Sequence, residues 1–485
     1  MSTAVDRELA ERLDAAGQSH LVAALEALEG DARAMLGAQL KELDLDLIRR
    51  LIDRFVLGPG EVPVQGAIEP GDAIPLAQGA AGHAEAQRAR AAGDELVAAG
   101  KVALVLLAGG QGTRLGFAGP KGEFPFAPVT GRTLFEHLTA KVAAVGARCG
   151  AHLPLYILTS PVNDDETRRY FREHEYLGLD PSSVRFVVQG TLPAVDLESG
   201  RILLEAPDRL ALSPDGHGGL LPALRRAGAL EQMAGEGVET IFTFQVDNPL
   251  VRVAKPELLG HHTLAGADMS SVVVRKRWPG ERMGVVARVG GRTAVVEYSD
   301  LPDALAERRT PDGELVFWGG SIAVHAIQRA FVERLTAGPA GDGTGLPFHR
   351  AVKRVPYVGP DGVLVQPDAP NAVKFETFLF DALPLADRAA TVEAARAEEF
   401  SPVKNAAGDD SPESVRRDLN RLYAGWLEAA GVPVAHGEDG EPVDLEIDPR
   451  LADDADTLAE RIPPGLTIEG PTALGPDGEP VTFRA

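Results

Sequence analysis

One cysteine, Cys149, occurs in 485 residues. A single thiol cannot form an internal disulfide and cannot supply a cysteine metal cluster. Cys149 reads instead as a small apolar helix residue. The chain is also short of positive charge. Its 48 Lys and Arg face 71 Asp and Glu, a formal net charge of −23. So acidic a molecule repels nucleic-acid backbones and anionic membranes, and neither is expected as a partner. No apolar run approaches the roughly 18 residues of a membrane span. The stretch MSTAVDRELAERLDAAG is acidic and lacks the apolar segment of a secretory signal. A cytoplasmic protein is the expectation. Internal repeats and low-complexity tracts are missing too. Any anionic ligand would need a few cations gathered locally against the general field.

What is present is an ordinary globular composition, 44% hydrophobic and 25% charged. The length predicts two or three domains. Residues 1–57 read as helices, with Leu9, Leu13, Leu21, Leu25 and Leu28, then Leu36, Leu40, Leu47, Leu51 and Phe55, at roughly helical spacing. Gly58 to Gly82 is rich in Gly and Pro and reads as a connection, followed by a short helix over His83–Ala99. From Lys101 short apolar runs (VALVLLA, LPLYILTS, VRFVVQG, TIFTFQVDN, MSSVVVRK) alternate with amphipathic stretches such as Leu134–Val145 and Asp165–Glu175. Such runs fit strands buried on both faces of a mostly parallel sheet, joined by crossover helices. The fold class is α/β, with ligands expected at the carboxyl ends of strands. Strand signals thin after about Glu398, residues 411–430 look helical, and the chain from Pro442 reads as a small β-rich tail. The expected organisation is a helical region 1–95, a catalytic domain 96–400 and a C-terminal region 401–485, small and partly β.

The stretch LLAGGQGTRLGFAGPKGEF, Leu106 to Phe124, follows the first strong strand signal. Glycine weakens ordered structure unless the backbone must bend sharply or touch something closely. A phosphate-binding P-loop requires glycine before its lysine and a hydroxyl residue after it. Here Pro120 precedes Lys121 and Gly122 follows it. A dinucleotide turn requires G-x-G-x-x-G, and Leu115 occupies the third glycine position. What remains is a glycine loop carrying Arg114 and Lys121. Its backbone N–H groups can approach an anionic chain. Arg114 offers a bidentate fork and Lys121 a point charge.

This segment resembles the signature of sugar-nucleotide pyrophosphorylases, specifically the eukaryotic-type UTP-dependent sugar-1-phosphate uridylyltransferases. The resemblance recurs in order through QGTLPAVD (189–196), RILLEAPDRLALSPDGHGG (201–219), FQVDNPLVRVAKPELLG (244–260), MGVVARVGGRTAVVEYSDLP (283–302), PNAVKFETFLFD (370–381) and EEFSPVKNA (398–406). It spans roughly residues 95 to 410 and is nearest to the UDP-N-acetylhexosamine pyrophosphorylases. It implies a Rossmann-like, GT-A-like nucleotidyltransferase with a mixed sheet and helices on both faces. The reaction implied is UTP plus a hexose 1-phosphate giving a UDP-sugar and pyrophosphate, with Mg²⁺ as cofactor. A sugar phosphate is already an anionic nucleophile, so alignment and charge neutralisation replace a general base.

By the same resemblance, Leu107, Ala108, Gly109 and Gly110 hold UTP, and Arg114 and Lys121 face its phosphates. Gln189 suits the uracil edge, since an amide both donates and accepts, although a turn amide would look the same. Gly216 lets the backbone pass close to the base. Asp247, ending TIFTFQVD, suits Mg²⁺; an Asx turn with Asn248-Pro249 is the plainer reading. Lys374 is implied to meet a phosphate, against the alternative of a lysine snorkelling from an apolar strand. Lys404 is matched to the sugar phosphate. Gly284, Glu297 and Tyr298 match the sugar-contacting positions, and a solvent-facing edge pair is the alternative for the last two. Phe378 and Phe380 wall a sugar pocket or pack a core.

Two positions depart from the N-acetylhexosamine pattern. His217 and Ser321 stand where that branch has asparagines, and glucose-type enzymes share the Gly-His-Gly sequence. Loss of both amides removes a convenient donor and acceptor for an acetamido group. His217 could instead bind sugar hydroxyls or phosphate, or simply close a turn. Overall similarity favours N-acetylglucosamine 1-phosphate; His217 and Ser321 favour glucose or galactose 1-phosphate; a broad-specificity enzyme would satisfy both. A UDP-sugar sensor and a nicotinamide dehydrogenase are the rival classes, and the paired cations speak against each.

Overall fold

The computed structural model describes residues 6–58, 60, 66–338, 345–359 and 361–481. The chain divides into two compact units. One combines the described parts of Met1–Gln65 with Gln189–Arg226 and Glu333–Ala382, the other Gly66–Val188, Ala227–Val332 and Leu383–Ala485. Composition changes consecutively along the chain, as the three expected regions describe. Compactness follows packing instead, so each unit is assembled from three separated segments.

The larger unit is built on a ten-stranded sheet. Its main path runs Ile68–Pro70, Val285–Val289, Gly319–Gln328, Thr240–Gln245, Val102–Leu107, Leu155–Thr159 and Val184–Val188. Met269–Arg275 pairs with Gly319–Gln328 and Ala389–Glu393, and Arg292–Val296 pairs with Val285–Val289. The neighbours of Val102–Leu107 are parallel, but Gly319–Gln328 runs antiparallel to its partners. The sheet is therefore mixed, as the family resemblance implies, and not mostly parallel, as apolar patterning alone suggests. Between Met269 and Gln328 the chain holds one hairpin, Val285–Val289 with Arg292–Val296, and no helix longer than the four-residue Asp303–Ala306, so no crossover helix there keeps successive strands parallel. Val102 to Leu106 are fully buried, as an uninterrupted apolar strand requires.

The helix Leu134–Cys149 begins at a capping box in which Glu136 N donates to Thr133 Oγ1 (3.2 Å) and Thr133 N donates to Glu136 Oε2 (2.7 Å). It ends at Gly150 in the left-handed conformation, φ 61°. The second crossover helix is Asp164–Glu173. The helix expected over His83–Ala99 is longer, Gly79–Ala98. It packs closely on Pro256–Ala265 because Gly93 and Gly260 lack side chains; a Cβ at either would collide with the backbone of Pro256 or Ala89. The Gly- and Pro-rich connection before it contains the edge strand Ile68–Pro70. The C-terminal segment carries the helices Pro412–Ala429 and Ala455–Arg461 and the parallel pair Leu445–Ile447 with Thr472–Leu474. Among the described residues, no helix is long and apolar enough to cross a membrane.

In the smaller unit, helices Arg7–Ala15, Ser19–Glu26, Gly30–Glu42 and Leu45–Phe55 enclose a core with strands Val195–Asp196 and Ala372–Thr377. The leucine spacing read from sequence forms this core, with Leu28 and Leu47 only partly buried. Val373 and Phe375 enter it. Alternation along the strand then turns Lys374 and Glu376 to the opposite face. The N-terminal helices thus serve as the floor beneath the strand that presents Lys374.

Candidate active site

The glycine loop begins where the strand Val102–Leu107 ends. Val246 N donates to Leu107 O (3.1 Å) and Ala108 N to Leu158 O (2.9 Å). Asn163, fully buried, holds the next turn: its Nδ2 donates to Ala108 O (2.9 Å) and Gly110 O (3.3 Å), while its Oδ1 accepts from Ser160 N (2.8 Å). Gly112 N donates to Gly119 O (3.0 Å) and Lys121 N to Gly110 O (3.1 Å), closing the loop on itself. The glycines divide by task. A Cβ at Gly112 would stand 2.8 Å from the Phe117 ring, one at Gly122 would collide with Phe135, and Gly116 and Gly119 have φ of 70° and 133°. These four serve the loop's own folding. Gly110 is exposed with open space where a Cβ would point. Gly110 alone of these five is bound neither by a neighbouring side chain nor by a left-handed φ.

Arg114 is exposed on this loop, and Lys121 is mostly buried. Lys121 Nζ lies 3.8 Å from Asp247 Oδ2. Burial lowers the Lys121 pKa; Asp247 opposes the shift, and the nearby charges of Lys404 and Arg114 reinforce it. The structure thus brings Arg114, Lys121, Lys404 and Asp247 together. Asp247 follows the strand Thr240–Gln245, and its backbone O accepts from Val403 N (2.7 Å). Among the described residues there is no group of three or more His, Cys, Asp or Glu able to hold a metal. A single carboxylate beside three cations is nevertheless a donor set that fits Mg²⁺ carried in by phosphates, because Mg²⁺ takes one or two protein carboxylates and keeps phosphate and water ligands.

The same unit holds Gly284, Glu297, Tyr298 and Ser321. Ser321 N donates to Gly284 O (2.8 Å), and a Cβ at Gly284 would stand 2.6 Å from Val295 Cγ1 and 3.1 Å from Glu297 Oε1. Gly284, Glu297 and Ser321 are therefore neighbours. Tyr298 is 49% exposed. Two residues past Ser321, Ala323 has φ 55° inside the strand Gly319–Gln328. A non-glycine residue there is strained and sits where the register shifts by a bulge.

The smaller unit holds Gln189, Gly216, His217, Lys374, Phe378 and Phe380. Gln189 Nε2 donates to Asp215 Oδ1 and to Gly216 O, both at 3.3 Å. Its amide N–H groups are thus engaged within the protein. Burial raises the Asp215 pKa to about 6, against the donation from Gln189 and the charge of Arg226. Gly216 has φ 83°, and a Cβ there would collide with Thr377 O. Its close approach is to the strand Ala372–Thr377, which explains the glycine without invoking a base. His217 Nδ1 accepts from Leu379 N (3.0 Å), and its ring stacks on Phe378 at 5.3 Å and 25°. Burial first, and the charge of His349 second, lower its pKa to about 4. His217 is neutral near pH 7, and this hydrogen bond assigns the remaining proton to Nε2. His349 stacks on the same Phe378 at 4.6 Å and pairs with Asp381 through Nε2 (2.7 Å). Phe378 is partly exposed and Phe380 is buried. Lys374 is half-buried; burial lowers its pKa, with Glu376 opposing and Lys353 reinforcing.

Residues 76–410 match the family described as UTP–glucose-1-phosphate uridylyltransferase. The chain belongs to this family. It is 38% identical to the UDP-N-acetylhexosamine pyrophosphorylase-like protein 1 of Mus musculus over 88% of this chain and 86% of that protein. Identity to the UDP-N-acetylglucosamine diphosphorylase 1 of Arabidopsis thaliana is 35% over 98% and 94%. The solved UDP-N-acetylglucosamine pyrophosphorylase of Trypanosoma brucei, determined with an inhibitor, superposes with a TM-score of 0.79 at 26% identity, covering 97% of this chain and 99% of that one.

This uridylyltransferase is therefore an enzyme acting on a nucleotide and a sugar phosphate. Several contacts in the two units carry no signal in the sequence. Asn163 lies 53 residues after Gly110 and has no motif of its own. Asp215 was visible in the PDG block, but its bond to Gln189 was not. His349 and Asp381 gain meaning only through their shared contact with Phe378.

Proposed function

We propose that this uridylyltransferase couples UTP to N-acetylglucosamine 1-phosphate. An oxygen of the sugar phosphate attacks the α-phosphorus of UTP, the bond to the β-phosphate oxygen breaks, and pyrophosphate leaves. The observation that carries this reading is the clustering of Asp247, Lys404 and Arg114 about Lys121, whose ammonium lies 3.8 Å from Asp247. Such preorganised cations neutralise charge that develops on the departing pyrophosphate. Arg114 and Lys121 face the triphosphate, Gly109 and Gly110 lend backbone N–H groups, and Lys404 meets the sugar phosphate. Lys374 meets a phosphate oxygen, and Gln189 reads the uracil edge. Asp247 would hold Mg²⁺, which when bound supplies charge neutralisation on the phosphates. Gly284, Glu297, Tyr298, Phe378 and Phe380 contact the sugar. A cytoplasmic site of action accords with a chain that has one cysteine.

The choice of sugar rests on relatives named as a UDP-N-acetylglucosamine diphosphorylase and a UDP-N-acetylglucosamine pyrophosphorylase. His217 and Ser321 favour a second reading, glucose or galactose 1-phosphate. His217 is neutral and offers one Nε2–H donor, which suits a hydroxyl as well as an acetamido carbonyl. A panel of sugar 1-phosphates with UTP and Mg²⁺, scored by pyrophosphate release, decides between them. Highest kcat/KM with N-acetylglucosamine 1-phosphate supports the first reading. Highest kcat/KM with glucose or galactose 1-phosphate replaces it.

A further inference from the structure

We infer that Asn248 is a positioning residue that holds the Lys404 segment against the carboxylate-bearing loop at Asp247. The inference rests on the assignment of Lys404 to the sugar phosphate. Asn248 is 2% exposed. Its Nδ2 donates to Glu399 O (2.8 Å), and its Oδ1 accepts from Ser401 N (3.2 Å). One side-chain amide thus satisfies a C=O and an N–H two residues apart, as a neighbouring strand would. The next contact in the same direction is Val403 N to Asp247 O (2.7 Å), and Lys404 follows directly.

Both partners of this clasp are anchored elsewhere. On the Asp247 side, Pro249 O accepts from Lys141 Nζ (2.6 Å) and from His137 Nε2 (3.1 Å). On the other side, Ser401 Oγ donates to Asp418 Oδ2 (2.7 Å), and Lys404 N to Asp410 O (2.7 Å). A buried ion pair, Lys255 with Glu399, joins the two. Asn248 is the side chain of this assembly nearest in sequence to Asp247, and it reads the partner segment by both donor and acceptor. Aspartate has the same shape but cannot donate. It would leave Glu399 O without that donor and set a carboxylate against it.

The test is a double-mutant cycle on the full chain, using Asn248→Asp, Lys404→Ala and the double variant. Misplacing a catalytic group by about 1 Å costs on the order of 100-fold. Asn248→Asp is expected to lower kcat/KM for the sugar phosphate by roughly 30- to 100-fold, while the UTP dissociation constant stays within about twofold. Because Asn248 acts through Lys404, the double variant is expected to be no worse than Lys404→Ala alone by more than about threefold. Losses that multiply in the double variant overturn the inference, as does an unimpaired Asn248→Asp beside a deficient Lys404→Ala. A near-normal Lys404→Ala overturns the assignment of Lys404 itself, and the positioning role with it. If Asn248→Asp does not fold, Asn248→Ser shortens the side chain without adding charge and enters the same cycle. UTP affinity that falls as far as turnover in either Asn248 variant indicates a general collapse of the site and also overturns the inference.

Discussion

Around Asp247 three cations stand close enough for Lys404 and Arg114 to lower the pKa of Lys121. Around His217 the surroundings are aromatic, the histidine is neutral, and the nearest carboxyl groups, Asp215 and Asp381, have pKa values raised by burial. The first region keeps like charges together at a cost, which is reasonable only where an anion will neutralise them. The second has removed charge and kept shape and directed hydrogen bonds. A phosphoryl-transfer centre needs the former, because charge develops at the phosphates. Selection between sugars needs the latter, because it depends on hydroxyl and acetamido groups that carry no charge. Under the proposed function, rate belongs to the first region and discrimination to the second.

The largest effect should come from breaking the charged region. Arg114→Ala or Lys121→Ala is expected to lower kcat by about 100- to 10,000-fold, with unchanged circular dichroism. Steady-state rates within threefold of the parent protein would remove these cations from the reaction. Next comes the support of the loop. Asn163→Ala leaves the buried carbonyl of Ala108 without its side-chain donor and should destabilise by about 1–3 kcal/mol. Urea unfolding reads that loss, and UTP titration should show weaker binding, because Gly110 is held by the same amide.

The discriminating region should respond in ratio rather than rate. His217→Asn is expected to shift kcat/KM toward the N-acetylated sugar by roughly 10-fold, about 1.4 kcal/mol. An unchanged ratio would show that His217 does not select. The pH effects act on stability rather than on turnover, and they have opposite signs. His217 holds its proton only below about 4 when folded, against 6.5 unfolded. The unfolded chain therefore takes up more protons between those values, and this residue costs stability as pH falls through them. Asp215 keeps its proton up to about 6 when folded, against 3.8 unfolded. It therefore adds stability as pH falls through that window. The difference in unfolding free energy between parent and variant should shrink with acidification for His217→Asn and grow for Asp215→Asn. Parallel courses for the two would break the contrast.

Much of this was legible in the chain. Uninterrupted apolar runs such as VALVLL and TIFTFQ mark buried strands because their burial is a property of each segment alone. The glycine loop with Arg114 and Lys121 is equally local. Less legible was the reason for individual glycines. Gly216 is required by Thr377, 161 residues away in sequence, and Gly122 by the Phe135 ring. Apolar patterning alone suggests a mostly parallel sheet, because it reports burial and not strand direction; the mixed sheet was legible only through the family resemblance.

By itself, then, the sequence determined the α/β alternation, the family and the glycine loop with its two cations, since each is written in neighbouring residues. Only the tertiary structure decided which residues support that loop and which fix its partners. Asn163 reaches Gly110, Gln189 reaches Asp215, and Asn248 reaches Glu399 and Ser401 across gaps of 53, 26 and about 150 residues. The physical reason is that a buried amide or carboxyl is defined by the partner that satisfies it, and that partner is chosen by packing rather than by position in the chain.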